Sequence, residues 1–220
     1  MFNMALIPMM LKGTMETIYM TVVSTLISYI IGMPLGILLI TTSPDGLKPV
    51  SWLYKALDLI INLIRSIPFL ILLIAVSPFI RFLIGTTLGS NATIVALVIA
   101  AIPFVARLVE TSLQEVDKGM VEAAWSMGCS PGQIIRGVLI PEAKPSLITG
   151  SAIAIIAILG YSAMAGIISG GGLGDIAIRY GYYRYDKEGL MLPTILLLIV
   201  LVQVFQEIGT RVSRKTDKRG

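Results

Sequence analysis

Few side chains in this sequence are equipped for bond-making chemistry. There is no histidine and only one cysteine, Cys129. That excludes histidine acid–base catalysis, a His-ligated metal, an intrachain disulfide and a multi-cysteine metal site. A glycine run, Ser169 to Asp175 (SGGGLGD), invites comparison with phosphate-cradling loops. No predicted strand precedes it, the third glycine of G-x-G-x-x-G is missing, and G-x-x-x-x-G-K-[ST] occurs nowhere. The run is expected to make a tight turn. Arg107 and Glu110, three residues apart, can pair on one helix face. The remaining candidates are suited to a path and not to a reaction. Tyr161, Ser162 and Met164 are the larger or polar groups in a stretch otherwise made of small residues, Gly160 to Gly166. Methionine is flexible and polarizable, so Met164 can plug a narrow path, contact a thioether, or simply fill a core.

The elements that must position these groups are membrane helices. Of the 220 residues, 55% are hydrophobic and 14% charged, against about 25% charged in an ordinary soluble domain. A spanning helix needs about 20 mostly apolar residues. Five stretches qualify: Thr17–Thr41, Leu59–Ile80, Thr86–Ala106, Pro145–Gly174 and Gly189–Gln206. The fourth is long enough for a helix plus a re-entrant segment. The first is too long for a removable leader. Pro34, Pro68, Pro78, Pro103 and Pro193 all lie within these runs, so kinks or breaks are expected where neighbours can satisfy the freed carbonyls. Gly32 and Gly36, in GMPLG, match the small-xxx-small pattern of close helix crossings.

Charge sets the orientation. With five spans, Lys48, Lys55, Arg107, Lys118, Arg136, Lys144, Arg211, Arg214, Lys215, Lys218 and Arg219 fall on one side, and Lys12, Arg179, Arg184 and Lys187 on the other. The excess predicts a cytoplasmic C-terminus and an external N-terminus. Arg65 and Arg81, near opposite ends of the second span, can reach opposite surfaces. The net charge of +4 is thereby a matter of membrane topology and does not point to nucleic acid. Tyr180, Tyr182, Tyr183 and Tyr185, on the external side, suit either an interfacial aromatic belt or a docking surface.

Between the third and fourth spans the chain departs from this pattern. Asp117 is a candidate N-cap for a helix running to about Met127, and Gly128 can adopt the left-handed conformation that ends it. Ser130 then opens a second helix, with Pro131 in its first turn and Gln133 completing an S-x-x-Q box. Pro141 and Pro145 are expected to stop it. Met120, Val121, Ala124 and Met127 form an apolar stripe at helical spacing, and Ala123 and Ala124 are small enough for another surface to approach closely. The physics defines a capped helix–turn–helix over about 117–141 but leaves open whether it packs only on its own bundle.

The run Glu122-Ala123-Ala124, three residues, Gly128, nine residues, then Val138, Ile140 and Pro141 resembles the EAA loop of bacterial ABC importer permeases. Val138 and Ile140 stand where that family usually has Ile and Leu. The resemblance implies that these seven residues couple the spans to a separate ATPase subunit. Asn62–Leu73 (NLIRSIPFLILL), Gly160–Gly166 (GYSAMAG) and Gly170–Tyr182 (GGGLGDIAIRYGY) are similar to the methionine-importer permeases in particular. What this implies is an all-α, five-span, type I importer permease, a single domain over residues 1–220. It would act as a homodimer in the bacterial cytoplasmic membrane, with two ATPase subunits inside and a substrate-binding lipoprotein outside. The chain itself would hold no cofactor, ATP and magnesium belonging to the ATPase. It would not be an enzyme. Tyr161, Ser162 and Met164 become candidates for the translocation path or gate.

Three alternatives stand beside this reading. A polar amino-acid permease of related type shares the same features. An ion-coupled carrier needs buried ionisable groups or an inverted repeat, and five spans do not divide into two halves. A membrane enzyme needs a convergent set of nucleophile, base or metal ligands, which the composition denies in most versions.

Overall fold

The computed structural model describes residues 6–183 and 190–216. Arg184, Tyr185, Lys187, Lys218, Arg219 and the start of the fifth span at Gly189 lie outside them. All the described secondary structure is helical.

Helix α1, Leu6–Thr42, has 37 residues and begins a full three turns before the expected start of the first span. At 1.5 Å per residue it is about 55 Å long, more than the ~30 Å apolar core of a bilayer. Several of its threonines hide their polarity along the helix. Thr14, Thr25, Thr41 and Thr42 each donate to the carbonyl four residues back, at 2.6–2.8 Å. Helix α5, Ser90–Gln114, is the central pillar. It outruns its expected end at Ala106 by two turns. Gly32 and Gly36 seat α1 against it. A Cβ on Gly32 would stand 2.8 Å from Val105 Cγ1, and one on Gly36 2.6 Å from the Ala106 carbonyl, so the small-xxx-small pattern does mark a close crossing.

The second span is not one helix. Helix α2, Ser51–Ser66, and helix α3, Phe69–Ala75, meet at 103°. The cause is local: Ile67 precedes Pro68 and is pushed to an extended conformation, ψ 124°, because the proline ring disfavours the helical region for its neighbour. Helix α4, Ser77–Ile84, follows with Pro78 in its first turn. Arg65 and Arg81 are exposed on either side of the break.

Two core clusters sit along α5. Towards its start, Ala92, Ala96, Leu97 and Ala101 pack with Leu73 and Ile158. Towards its end, Val105, Val109 and Leu113 pack with residues between the third and fourth spans. Helix α6 is Lys118–Ser126, α7 Pro131–Ile134, α8 Ile140–Glu142 and α9 Lys144–Met164. After α9 come a 3-10 turn (Ala165–Ile168), α10 (Gly172–Ile176) and a π-helical stretch (Ala177–Tyr183). Helix α11, Met191–Thr216, lies against α9, where Thr149 and Ser213 share a hydroxyl hydrogen bond of 2.8 Å. It is peripheral: among the residues of α11 whose burial is described only Thr194 is buried, whereas about half of α5 is.

Candidate coupling hairpin and gate

The segment between α5 and α9 is capped at every end. Asp117 Oδ1 accepts from Gly119 N at 2.7 Å and opens α6. At the other end Gly128 N donates to the Trp125 carbonyl at 2.9 Å and Cys129 N to the Ala124 carbonyl at 3.1 Å. These are the two bonds of a Schellman ending, and Gly128 carries its left-handed residue at φ +80°. Gln133 Oε1 then accepts from Ser130 N at 2.8 Å, closing the expected box over α7.

The prolines do not stop this second helix. From Ile135 to Leu139 the chain widens into a π turn, in which Ile140 N donates to the carbonyl of Ile135, five residues back. Proline at 141 lacks the N–H that an α turn would direct to the Gly137 carbonyl. The π turn lets the backbone pass the ring, and the helix continues through Pro141 into α9. The hairpin is therefore joined to α9 by nearly continuous helix.

The seven pattern residues divide between two faces. Ala124 is buried with Ile134, Leu139 and Ala143 against Val109, Leu113 and Val116, and Val138 and Ile140 are half-buried beside them. Glu122, Ala123, Gly128 and Pro141 are exposed. The expectation that Ala124 offers its small side chain to another surface is thus corrected: it faces its own bundle, and Ala123 faces out. The apolar stripe divides as well. At about 100° per residue, Val121 and Ala124 lie on one side of it, and Met120 and Met127 on the other. The first pair packs inward, while Met120, Met127 and Trp125 are exposed. Trp125 was missed in the sequence; the signal was an aromatic directly after Glu122-Ala123-Ala124, in the last turn of α6. Behind α6, a cleft of about 550 Å³ opens between the Ser43–Leu47 connection, Tyr54, the end of α5 and Trp125.

An ion network ties α2 to this end of α5. Arg107 contacts Glu110 at 2.6 Å, as its spacing suggested, and also Asp58 of α2 at 2.5 Å. Asn62 accepts from Arg107 at 3.0 Å and donates to Asp58 at 3.1 Å. Glu110 is 1% exposed, so the guanidinium partners a carboxylate that water does not reach.

The gate candidates also separate. Tyr161 stacks on Phe69 of α3, with ring centroids 4.7 Å apart and planes at 11°. Ser162 is buried and donates to the Leu159 carbonyl at 2.7 Å. Met164 alone is open, at 46% exposure. Among the described residues, no group of three or more Cys, Asp or Glu side chains forms a metal site.

With the hairpin in place, the comparison with known proteins is decisive. Residues 29–218 match the family model of the binding-protein-dependent transport system inner membrane component. The chain belongs to this family. It is a permease subunit of a transport system, and the all-helical, five-span reading holds with a broken second span. The permease is 47% identical over 211 residues to the probable D-methionine transport system permease protein MetI of Vibrio cholerae, covering 96% of this chain and 93% of that one. It is 44% identical over 158 residues to the D-methionine transport system permease protein MetI of Escherichia coli K12, covering 72% and 73%. Its structure is similar to that of a chain in the inward-facing MetNI methionine ABC transporter. The TM-score there is 0.95 at 41% identity, with 98% and 100% of the chains covered. An amino acid ABC transporter solved with histidines shares the fold, with a TM-score of 0.80 at 21% identity.

Proposed function

We propose that this permease forms the methionine path of an ATP-driven importer in the bacterial cytoplasmic membrane. It works as a homodimer with two ATPase subunits at the hairpins and a substrate-binding lipoprotein at the opposite end. The observation that carries the reading is the hairpin, a capped unit with one face built into the α5 core and the other, Glu122, Ala123, Trp125 and Met127, left open. Methionine as substrate is supported by the relatives at 41–47% identity. Charge supports the orientation. Among the described residues, Lys48, Lys55, Arg107, Lys118, Arg136, Lys144, Arg211, Arg214 and Lys215 lie towards the hairpin end, and Lys12 and Arg179 towards the other.

In this mechanism ATP and magnesium stay on the partner. Closure of the ATPase pair pushes the exposed face of each hairpin. Glu122, Ala123 and Gly128 meet the partner. Ala124, Val138 and Ile140 pass the displacement inward to Val109 and Leu113 of α5, and Pro141 passes it through continuous helix to α9. Residues 1–220 act as one transmembrane domain. At the far end of α9, Met164 closes the path against its copy across the two-fold axis. Tyr161 holds the helix that carries it against α3 through the Phe69 stack, and Ser162 lies buried beside it with its hydroxyl satisfied within α9 by the Leu159 carbonyl.

The test is reconstitution of the chain with its ATPase and binding protein in liposomes, followed by uptake of labelled methionine. Uptake that needs ATP on the hairpin side and binding protein on the other is expected. Uptake without the ATPase, driven by an ion gradient, would overturn the reading.

A further inference from the structure

Met164 is the last residue of α9, and the 3-10 turn after it closes locally, with Ser169 N donating to the Gly166 carbonyl at 3.1 Å and Gly170 N to the Ala165 carbonyl at 3.0 Å; the segment packed on that end is held from elsewhere. Beyond the 3-10 turn, Ser169, Gly171 and Gly172 all take positive φ, at +60°, +84° and +74°. The chain then reverses into the helical stretch Gly172–Tyr183. The first N–H groups of such a stretch have no partner within it. Here they are bound by the first helix of the chain: Gly172 N donates to Glu16 Oε2 at 2.8 Å and Leu173 N to Thr17 Oγ1 at 2.9 Å. The Thr17 hydroxyl donates in turn to the Gly13 carbonyl at 2.9 Å, which fixes its lone pair towards Leu173, and the residue is 1% exposed.

The stretch so held lies backbone to backbone on the end of α9. A Cβ on Gly166 would overlap the Gly174 backbone, and one on Gly174 would overlap the Ala163 backbone. Met164 lies between Ala163 and Gly166. The turn itself is pinned to α5, with Gly89 N donating to the Ser169 carbonyl at 3.1 Å and Thr93 Oγ1 to the Gly170 carbonyl at 3.0 Å.

We propose that Glu16 and Thr17 are positioning residues for Met164: by capping α10 from α1 they set where the end of α9, and with it the methionine side chain, stands. A carboxylate suits the task, because its charge complements the partial positive charge of a helix start. The functional importance of that position rests on the gate reading of Met164.

The test uses the whole complex in lipid nanodiscs, with Cys129→Ser and Met164→Cys in the permease and a nitroxide on the new thiol. EPR then reads the distance between the two copies. One narrow distribution is expected in the parent. Glu16→Ala and Thr17→Val should each lose the narrow peak, while Glu16→Gln and Thr17→Ser, which keep an acceptor, should retain it. Glu16→Ala leaves the Thr17 bond in place, so the fold survives there even if Thr17→Val does not assemble. An unchanged distribution in Glu16→Ala, or equal broadening in Glu16→Gln, would overturn the proposal. Methionine uptake is measured alongside, with Met164 intact. A lost peak with normal uptake in Glu16→Ala upholds the positioning and removes the gate reading. Altered uptake with an unmoved peak overturns the positioning and leaves the gate to be judged by Met164→Ala.

Discussion

The two ends of this permease both turn the chain on a left-handed glycine and cap a helix directly afterwards, but they do so from different distances. At the hairpin every capping partner is local: Asp117 serves Gly119, Ala124 and Trp125 receive the N–H groups of Cys129 and Gly128, and Gln133 serves Ser130. At the glycine turn the preceding helix also closes locally, on Gly166 and Ala165, but the start of α10 is capped from 156 residues away by Glu16 and Thr17, and the turn itself is tied to Thr93, 77 residues from Gly170. A unit capped by its own residues keeps its shape when its surroundings shift, which is what a part that transmits a push requires. A turn capped by two other helices changes whenever those helices move relative to one another, which is what a part that responds requires.

The largest effect is expected at the long-range ion network on the hairpin side. Arg107→Ala would leave the buried Glu110 carboxyl without its partner, and truncating one member of a buried pair costs up to about 3–5 kcal/mol. The expected outcome is a large loss of thermal stability of the solubilised complex; an unchanged melting temperature would show that α2 is not held there.

Next comes the contrast between two adjacent alanines. Ala124→Leu forces extra volume into a packed core, at about 1–3 kcal/mol. Ala123→Leu lies on the surface, where such changes stay within about 0.5 kcal/mol. Thermal melts of the permease should therefore drop only for the first, while binding of the ATPase on co-purification should weaken for the second. Equal melting temperatures would erase the two-faced hairpin.

Gly128→Val should cost roughly 1–2 kcal/mol from the left-handed backbone alone, since open space surrounds a Cβ there. Insertion should survive, and binding-protein stimulation of ATP hydrolysis should fall. Stimulation at the parent level would mean that the turn does not transmit. The smallest effect is expected at Met164→Ala. A core methionine would lose about 2–5 kcal/mol on truncation, whereas a side chain lining a path should lose little and alter transport. A large drop in melting temperature with normal uptake per folded complex would make Met164 a packing residue.

What the amino-acid sequence disclosed follows the same division. Asp117, Gly128, Ser130 and Gln133 were legible because each acts on a neighbour within a few positions, and Arg107–Glu110 because three residues set the geometry. Gly32 and Gly36 were legible as a pattern, though their partner α5 was not. Asp58, Glu16 and Thr17 were invisible as partners, since nothing local marks a carboxylate or hydroxyl for a distant N–H or guanidinium. Two proline outcomes also escaped. Pro68 broke its helix because its preceding residue went extended, and Pro141 did not, because five residues before it opened into a π turn. The adjacent residue cannot distinguish these, since each proline directly follows an isoleucine, Ile67 and Ile140. The stripe Met120, Val121, Ala124 and Met127 was legible as apolar but its division was not, because spacing alone does not say that the bundle covers only Val121 and Ala124.

The central claim, that the open face of a rigid hairpin seats the ATPase, is tested most directly by thiol accessibility at two neighbouring positions. In a Cys129→Ser background, Ala123→Cys and Ala124→Cys permeases are exposed to a polar maleimide in opened membranes, with and without the co-expressed ATPase. The account predicts fast labelling at 123 that is protected when the ATPase is present, and slow labelling at 124 in both cases. Equal labelling of 123 with and without an ATPase that co-purifies would contradict it.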